Sequence, residues 1–414
     1  MSDAGKGAGR LESRAGDRRT RRGRARSLAL VATLLFHGEP GIANAQPAPA
    51  VASSPRKVFP NGFPDDPAFF PIGVWLQSPS RGSAYKEIGV NTFVGLWDGP
   101  TEDQLSELTK HGLFAIADQN DVALASPHRA VIRAWMHGDE PDNAQKNAFG
   151  LHVTCIPPGD VVGRTRAMKQ RDPTRPIFLN FGRGVVDAAW HGRGTCAGDT
   201  GYYAHASQGV DIASFDIYPV ANSDGRMKGR LEAVAQGVEN LRQWAKDARS
   251  VWAIIETAQI RDGGGRPSPQ QIRSEVWLAL VAGAKGIVYF VHEFAHRSRE
   301  DGIFRHPDAV AAVKRVNDEI LKLAPVLNSP AASEGVDVSS PELIGTMLRR
   351  HAGDIYLFTV SRSPSPLRAR LRIPGLRDAS VEVIGEDRVA HVTDGILSDQ
   401  YGGYEVHLYR IKGQ

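Results

Sequence analysis

The sequence predicts an α/β fold: a (β/α)8 TIM barrel followed by a small C-terminal antiparallel, sandwich-like β-domain. Three observations carry that expectation. Short β-branched and aromatic runs recur eight times between residues 70 and 291, most of them separated by helical segments. Several of those runs end in a polar or acidic residue, as parallel strands opening onto one face would. After Pro330 the pattern changes to short runs, several of period two, separated by turn residues.

The elements follow in order. Residues 70–76 form a first strand and 91–97 a second, with a short helix over 83–88 between them. A helix over 101–110 has Thr101 as a capping residue, early acids, a late Lys and Gly112 as a stop. Residues 113–117 form the third strand, ending at Asp118. The fourth, 131–137, closes in Gly138-Asp139-Glu140-Pro141, a turn that sets carboxylates at the strand tip. A helix over 159–170 leads to the fifth strand, 176–179, which ends at Asn180. Residues 212–218 form the sixth, stopped by Pro219. A helix over 231–248 precedes the seventh, 251–255, which ends at Glu256. Ser268-Pro269, a cap followed by Pro at the first helical position, opens a helix to residue 284. Residues 286–291 form the eighth strand and 309–326 the last helix. The third and fifth helices carry weak signals. A doubly wound open sheet usually shows a Gly-rich phosphate loop after its first strand, and Gly73-Val74-Trp75-Leu76-Gln77 lacks one. Beyond Pro330, residues 343–348, 355–360, 367–373, 381–384 and 404–411 read as strands. The expected division is a barrel over 58–330 and a β-domain over 331–414.

The 414 residues are 41% hydrophobic and 23% charged, as suits a globular chain with a sizeable core. The net charge of +4 belongs to the first 45 residues, which hold nine Lys/Arg against four acids. The remainder carries 41 basic and 42 acidic residues, so no basic patch demands a nucleic acid. Residues 1–45 read as a signal peptide. A basic stretch, 18–26, precedes an apolar segment, 28–36, too short to span a bilayer, and Ala43-Asn44-Ala45 offers a cleavage site. Residues 46–57 read as a Pro/Ala/Ser-rich linker. The expectation is an exported protein, periplasmic or extracellular, with no membrane attachment after cleavage. Cys155 and Cys196 could pair in that compartment; two free thiols are the alternative. Oligomeric state leaves no trace in the sequence.

The predicted tips collect Trp97, Asp118, Asp139, Glu140, Asn180, Asp216, Tyr218, Glu256, His292 and Glu293 on one face. Two carboxyls facing each other across a pocket are what cleavage of a glycosidic bond needs. One protonates the leaving oxygen; the other attacks the anomeric carbon or activates water. The acid needs a raised pKa, from burial or from a neighbouring carboxylate. A Tyr can hold the nucleophile, and aromatic rings stack on sugar faces. Singly, each residue has a plainer reading: a solvated loop glutamate, a capping aspartate, a core tryptophan at Trp135.

On these residues the chain resembles the retaining glycoside hydrolases of clan A. There the acid/base Glu ends strand four, usually as Asn-Glu and often before Pro; here Asp139-Glu140-Pro141 stands on the fourth strand. Glu256 matches the nucleophile position at the end of strand seven. Asp216-Ile217-Tyr218-Pro219 is similar to the strand-six region whose Tyr contacts the nucleophile, and residues 280–290 resemble the approach to strand eight. The likeness covers roughly residues 60–328. It implies Glu140 as acid/base, Glu256 as nucleophile and Tyr218 as its positioning partner, acting on a poly- or oligosaccharide with retention of configuration. It implies no cofactor and no metal. Asp139, Asn180, Trp97, Asp118, Asp216, His292 and Glu293 would line the sugar site. The departure is Asp139, where the clan carries Asn. An ionised Asp cannot donate to a sugar 2-hydroxyl, and its charge raises its neighbour's pKa.

Two alternatives stand beside this one. A non-catalytic carbohydrate-binding barrel would keep the aromatics. His292-Glu293-Phe294-Ala295-His296 fits the H-E-x-x-H helix of zinc peptidases, although residues 287–291 read as a strand and Arg297 follows directly.

Overall fold

A computed structural model describes residues 59–413 apart from Arg261, His296 and Arg297, so the expected signal peptide and linker lie outside the described residues. Eight parallel strands close into a barrel in sequence order: β1 (Ile72–Trp75), β2 (Thr92–Val94), β3 (Phe114–Ala117), β4 (Ile132–Asp139), β5 (Ile177–Phe181), β6 (Ile212–Asp216), β7 (Ser250–Glu256) and β8 (Ile287–Phe290). β1 pairs with both β2 and β8, which closes the ring.

The connecting helices are α1 (Gly82–Glu87), α2 (Glu102–His111), α3 (Asp121–Ala125), α4 (Pro158–Arg171), α5 (Gly201–Ala206), α6 (Glu232–Trp244), α7 (Pro269–Ala282) and α8 (Pro307–Leu327). Local chemistry sets their ends. Thr101 and Gln104 form a capping box at the start of α2, and Gly112, at φ +63°, ends it. Ser268 and Gln271 do the same for α7, which Gly283 ends. α3 and α5 are single short turns of five and six residues, too brief for an apolar stripe to repeat.

Alternate strand residues fill the barrel: Trp75, Val94, Ile116, Ala134, Met136, Phe178, Ile212, Trp252, Ile254 and Val288. Their neighbours, such as Val251, Ala253 and Ile255, pack under the helices. Phe63 meets Trp252 near the start of β7, ring centres 5.4 Å apart, and covers the N-terminal end. The period of two carries past the strand ends. It sets Asp118, Asn180, Asp216 and His292 on the inward register and Glu293 on the outward one, while the Glu256 carboxyl at the tip of β7 turns to the loop after β6 and to α7.

The C-terminal strands are β9 (Asp337–Val338), β10 (Ile344–His351), β11 (Asp354–Ser361), β12 (Leu367–Arg372), β13 (Ala379–Val383), β14 (Arg388–Thr393), β15 (Ile396–Tyr401) and β16 (Val406–Ile411). They form one antiparallel sheet in the order β10-β11-β16-β13-β14-β15-β12-β9. It curls around its own core, which includes Leu357, Leu371, Val381, Leu397 and Tyr409. Ala331 bridges to Arg349 of β10 while β9 pairs with β12, so one segment reaches both edges and nearly closes the sheet. The other face joins the core outside the barrel through Met347, Phe358, Val360 and Leu408. Trp277 of α7 packs on Phe358 at 5.3 Å. Arg273 donates to the Val406 carbonyl at 3.1 Å and pairs with Glu319 of α8 at 3.1 Å. Among the described residues, no helix is long and apolar enough to cross a membrane.

Candidate active site

The tip of β4 is held from several sides. Glu140 has φ +42°, an uncommon conformation for a residue with a side chain. Its N–H donates to the Asn180 carbonyl at 2.9 Å, and its own carbonyl accepts from Asn143 N–H at 3.0 Å. The Asn143 amide also donates to Glu140 Oε2 at 2.8 Å. At Gly182 a Cβ would sit 2.7 Å from Glu140 Oε1, so the chain after β5 passes this close only without a side chain. Next to Glu140, Asp139 accepts the Asn180 amide at 2.9 Å. Ser214 of β6 in turn donates to Asn180 Oδ1 at 2.7 Å, which fixes the amide's orientation.

Electrostatics raise the Glu140 carboxyl. Loss of water at the cleft wall, then the charges of Asp139 and Asp142, push its carboxyl up to about 7 against the pull of Asp216 and Asn143. The walls also raise Asp139, but its side chain keeps an exposed edge, which limits that shift, and the Asn180 amide opposes it. Asp216, at the end of β6, reaches both Glu140 and the Tyr218 hydroxyl. Asp216 Oδ1 is buried with no hydrogen-bond partner. Burial and the Glu140 charge hold Asp216 well above the usual carboxylate range. The Tyr218 ring lies tilted against Phe290 of β8, centres 5.1 Å apart, and its hydroxyl meets Asp216 rather than, as expected, Glu256.

Glu256 is different. It has no exposed surface, and its oxygens accept from the Val220 and Ala221 N–H groups at 2.6 and 2.8 Å. Burial raises it to about 7 against those two amides and against Glu275 of α7. Its neighbours are thus the turn after β6 and α7. Asp139, Asp142, Asn143 and Asp216 are the polar groups that bear on Glu140.

The remaining expected residues spread around the mouth. Trp97 is 67% exposed, beyond β2. Asp118 lines a cavity of about 320 Å³ with Gln119, Met136, Arg164 and Met168. His292 faces inward beside the Trp75 carbonyl and the Gln77 amide, at 3.1 and 3.2 Å. Glu293 does not line the site. It turns outward, is buried, and meets His306 at 3.2 Å and Arg305 at 3.6 Å. This also corrects the zinc-peptidase alternative. Residues 291–295 are not helical and Glu293 makes a β-bridge to Arg299, so the helix on which the motif depends is not formed over the described residues. His296 itself lies outside the described residues, and among those described no cluster of His, Cys, Asp or Glu could hold a metal ion.

Several supporting residues escaped the sequence reading. Asp142 is fully buried, accepts from Gly182 N–H at 2.9 Å and from the Tyr203 hydroxyl at 2.7 Å, and so ties the β4 and β5 loops together under Glu140. Arg193, also buried, lies over Tyr203 at 4.9 Å. Of the two alternatives that the sequence left for Cys155 and Cys196, the structure has the pair: a disulfide between the same two loops, Cα atoms 6.0 Å apart.

Fold and mouth together define a (β/α)8 barrel with a carboxyl-rich C-terminal end. No protein-family model matches the chain, and no curated protein does. Among solved structures it is similar to α-galactosidase I from Mortierella vinacea, with 11% identity and a TM-score of 0.49 over 84% of this chain and 98% of that one. It is also similar to a maltogenic α-amylase from Thermotoga neapolitana, with 9% identity and a TM-score of 0.44 over 83% and 98%. An endoxylanase from Clostridium papyrosolvens gives 10%, 0.44, 83% and 96% in the same terms.

Proposed function

We propose that the chain is an exported glycoside hydrolase acting on a poly- or oligosaccharide, with Glu140 as acid/base and Glu256 as nucleophile of a double displacement. The observation that supports it most is the placement of Glu140 and Glu256 at the C-terminal tips of β4 and β7 of one closed parallel barrel; the Glu140 carboxyl, pushed up to about 7 by burial and neighbouring carboxylates, has a proton to give near neutral pH. A retaining pair stands about 5–5.5 Å apart and an inverting pair about 6.5–9.5 Å, and we assign Asp216, which bears directly on the titration of Glu140, no part in either. It tunes Glu140 instead. The second role falls to Glu256 on β7, held by two backbone amides. Because Glu256 has no exposed surface, attack requires the Val220–Ala221 turn to release one oxygen. The exposed ring of Trp97 suits a sugar platform, and the disulfide supports an oxidising compartment.

One observation favours a second reading. With Glu256 sealed, the barrel would bind carbohydrate without cleaving it. A panel of aryl glycosides and polysaccharides, assayed for turnover and by calorimetry beside Glu140→Gln and Glu256→Gln, separates the two. Turnover lost in both variants supports the glycosidase. Heat of binding without turnover supports the binding barrel, and turnover that survives both substitutions removes the proposed pair.

A further inference from the structure

Glu275 lies in the middle of α7 with no exposed surface. Neither of its oxygens meets a donor at full hydrogen-bond geometry. What stands against it is the carboxyl and backbone of Glu256, at the tip of β7. The Glu256 backbone favours a charged Glu275 only weakly against complete burial, whereas a neutral carboxyl there has a hydrogen to give and the Glu256 carboxylate facing it. Glu256 already accepts from Val220 and Ala221, so it is the better placed of the two to carry the charge.

We propose that Glu275 is a positioning residue: it stays protonated and donates to the Glu256 carboxylate, holding that carboxylate ionised and fixed at the tip of β7. Burial first, then the Glu256 charge, push Glu275 well above the ordinary carboxylate range. Several charged groups on the neighbouring helices are engaged elsewhere. Arg273 of α7 pairs with Glu319 of α8. On α6, Glu239 pairs with Arg362 and Arg242 with Asp247. From β7 the group that faces Glu275 is Glu256. The arrangement gives the nucleophile three donors, two backbone amides and one side-chain hydroxyl, and places the third on the helix behind the barrel wall.

The consequence for turnover rests on Glu256 being the nucleophile; the shared proton does not, and the test keeps them apart. Unfolding is measured against pH for the wild type, Glu275→Gln and Glu275→Leu, with infrared detection of the protonated carboxyl. A folded-state pKa above the unfolded value adds stability at low pH that is lost as pH rises through the folded value. The wild type is expected to weaken on alkaline titration and to show a buried protonated carboxyl. Glu275→Gln, which keeps a donor and cannot ionise, should flatten that fall, remove the infrared band and keep turnover within a few-fold. Glu275→Leu removes the donor and should lower kcat about tenfold or more with a shifted acid limb. An unchanged alkaline slope and an unchanged band in Glu275→Gln would overturn the proposal, whether or not any substrate is found. If Glu275→Leu fails to fold, the comparison of Glu275→Gln with the wild type still decides it.

Discussion

Asp139 and Asn180 sit on adjacent strands, and the Asn180 amide donates to the Asp139 carboxylate at 2.9 Å. The donor that an Asn would offer a substrate from position 139 is therefore replaced by an acceptor, and the amide is turned inward on the protein. Asp139 also loads Glu140 with a nearby negative charge. Asp139→Asn is expected to lower the Glu140 carboxyl from about 7, because a raising charge is removed. The alkaline limb of kcat/KM should then move to lower pH. A limb in the same place in both proteins would mean that Asp139 does not tune the acid.

The Cys155–Cys196 bridge closes a segment 41 residues long across the two loops that flank Glu140. Cys155→Ser together with Cys196→Ser should cost about 2–4 kcal/mol of stability. Denaturant unfolding of the oxidised protein and the double variant reads this directly. Intact-mass analysis after thiol labelling should find no free cysteine in the parent.

His407, buried in the β-sheet, gives a pH dependence of its own. Burial works against its charge, but Glu386 at 2.5 Å and Asp399 nearby raise it above 6.5. Protonated His407 therefore adds stability that is complete below the unfolded value and lost as pH rises through the folded one. His407→Gln should flatten that part of the stability profile. A profile identical in slope to the parent's would show that the ring is neutral in the native state.

Trp277 is fully buried between barrel and sheet, stacks on Phe358 and donates to Glu319 at 3.0 Å. Trp277→Ala should cost about 3–5 kcal/mol, the usual loss for a large core aromatic. The loss should appear in a single unfolding transition, because the sheet and the barrel share that core. Two separate transitions would show that they unfold independently.

Much of the fold was legible because local chemistry and tertiary packing agree. Thr101 and Gly112 mark the ends of α2, and Ser268-Pro269 marks the start of α7, through caps that depend on a few neighbouring residues. All eight barrel strands read as short apolar runs because both of their faces are covered. β14 and β15 did not read as strands. Arg388–Thr393 and Ile396–Tyr401 put polar or exposed residues at most positions, so neither forms an apolar run.

The site was legible at its tips but not behind them. Glu140, Asp139, Asn180, Asp216 and Tyr218 come together because each follows a strand that ends at the same mouth. Glu293 was misplaced by one residue of register: next to inward His292, it must face out. Asp142 lies in the turn after β4 and Glu275 in the middle of α7. Neither carries a local signal of burial, because the groups that enclose them come from distant segments: Tyr203 and Gly182 for one, Glu256 for the other.

One turn of α7 serves two masters. Glu275 backs Glu256, while Arg273 and Trp277, two residues to either side, grip the C-terminal sheet. Parting the barrel from the sheet along this contact would wet that turn. A barrel transplanted alone would need a substitute flank, and sequence drift in β11 or β16 is constrained by what it does to a carboxylate on the far side of the helix.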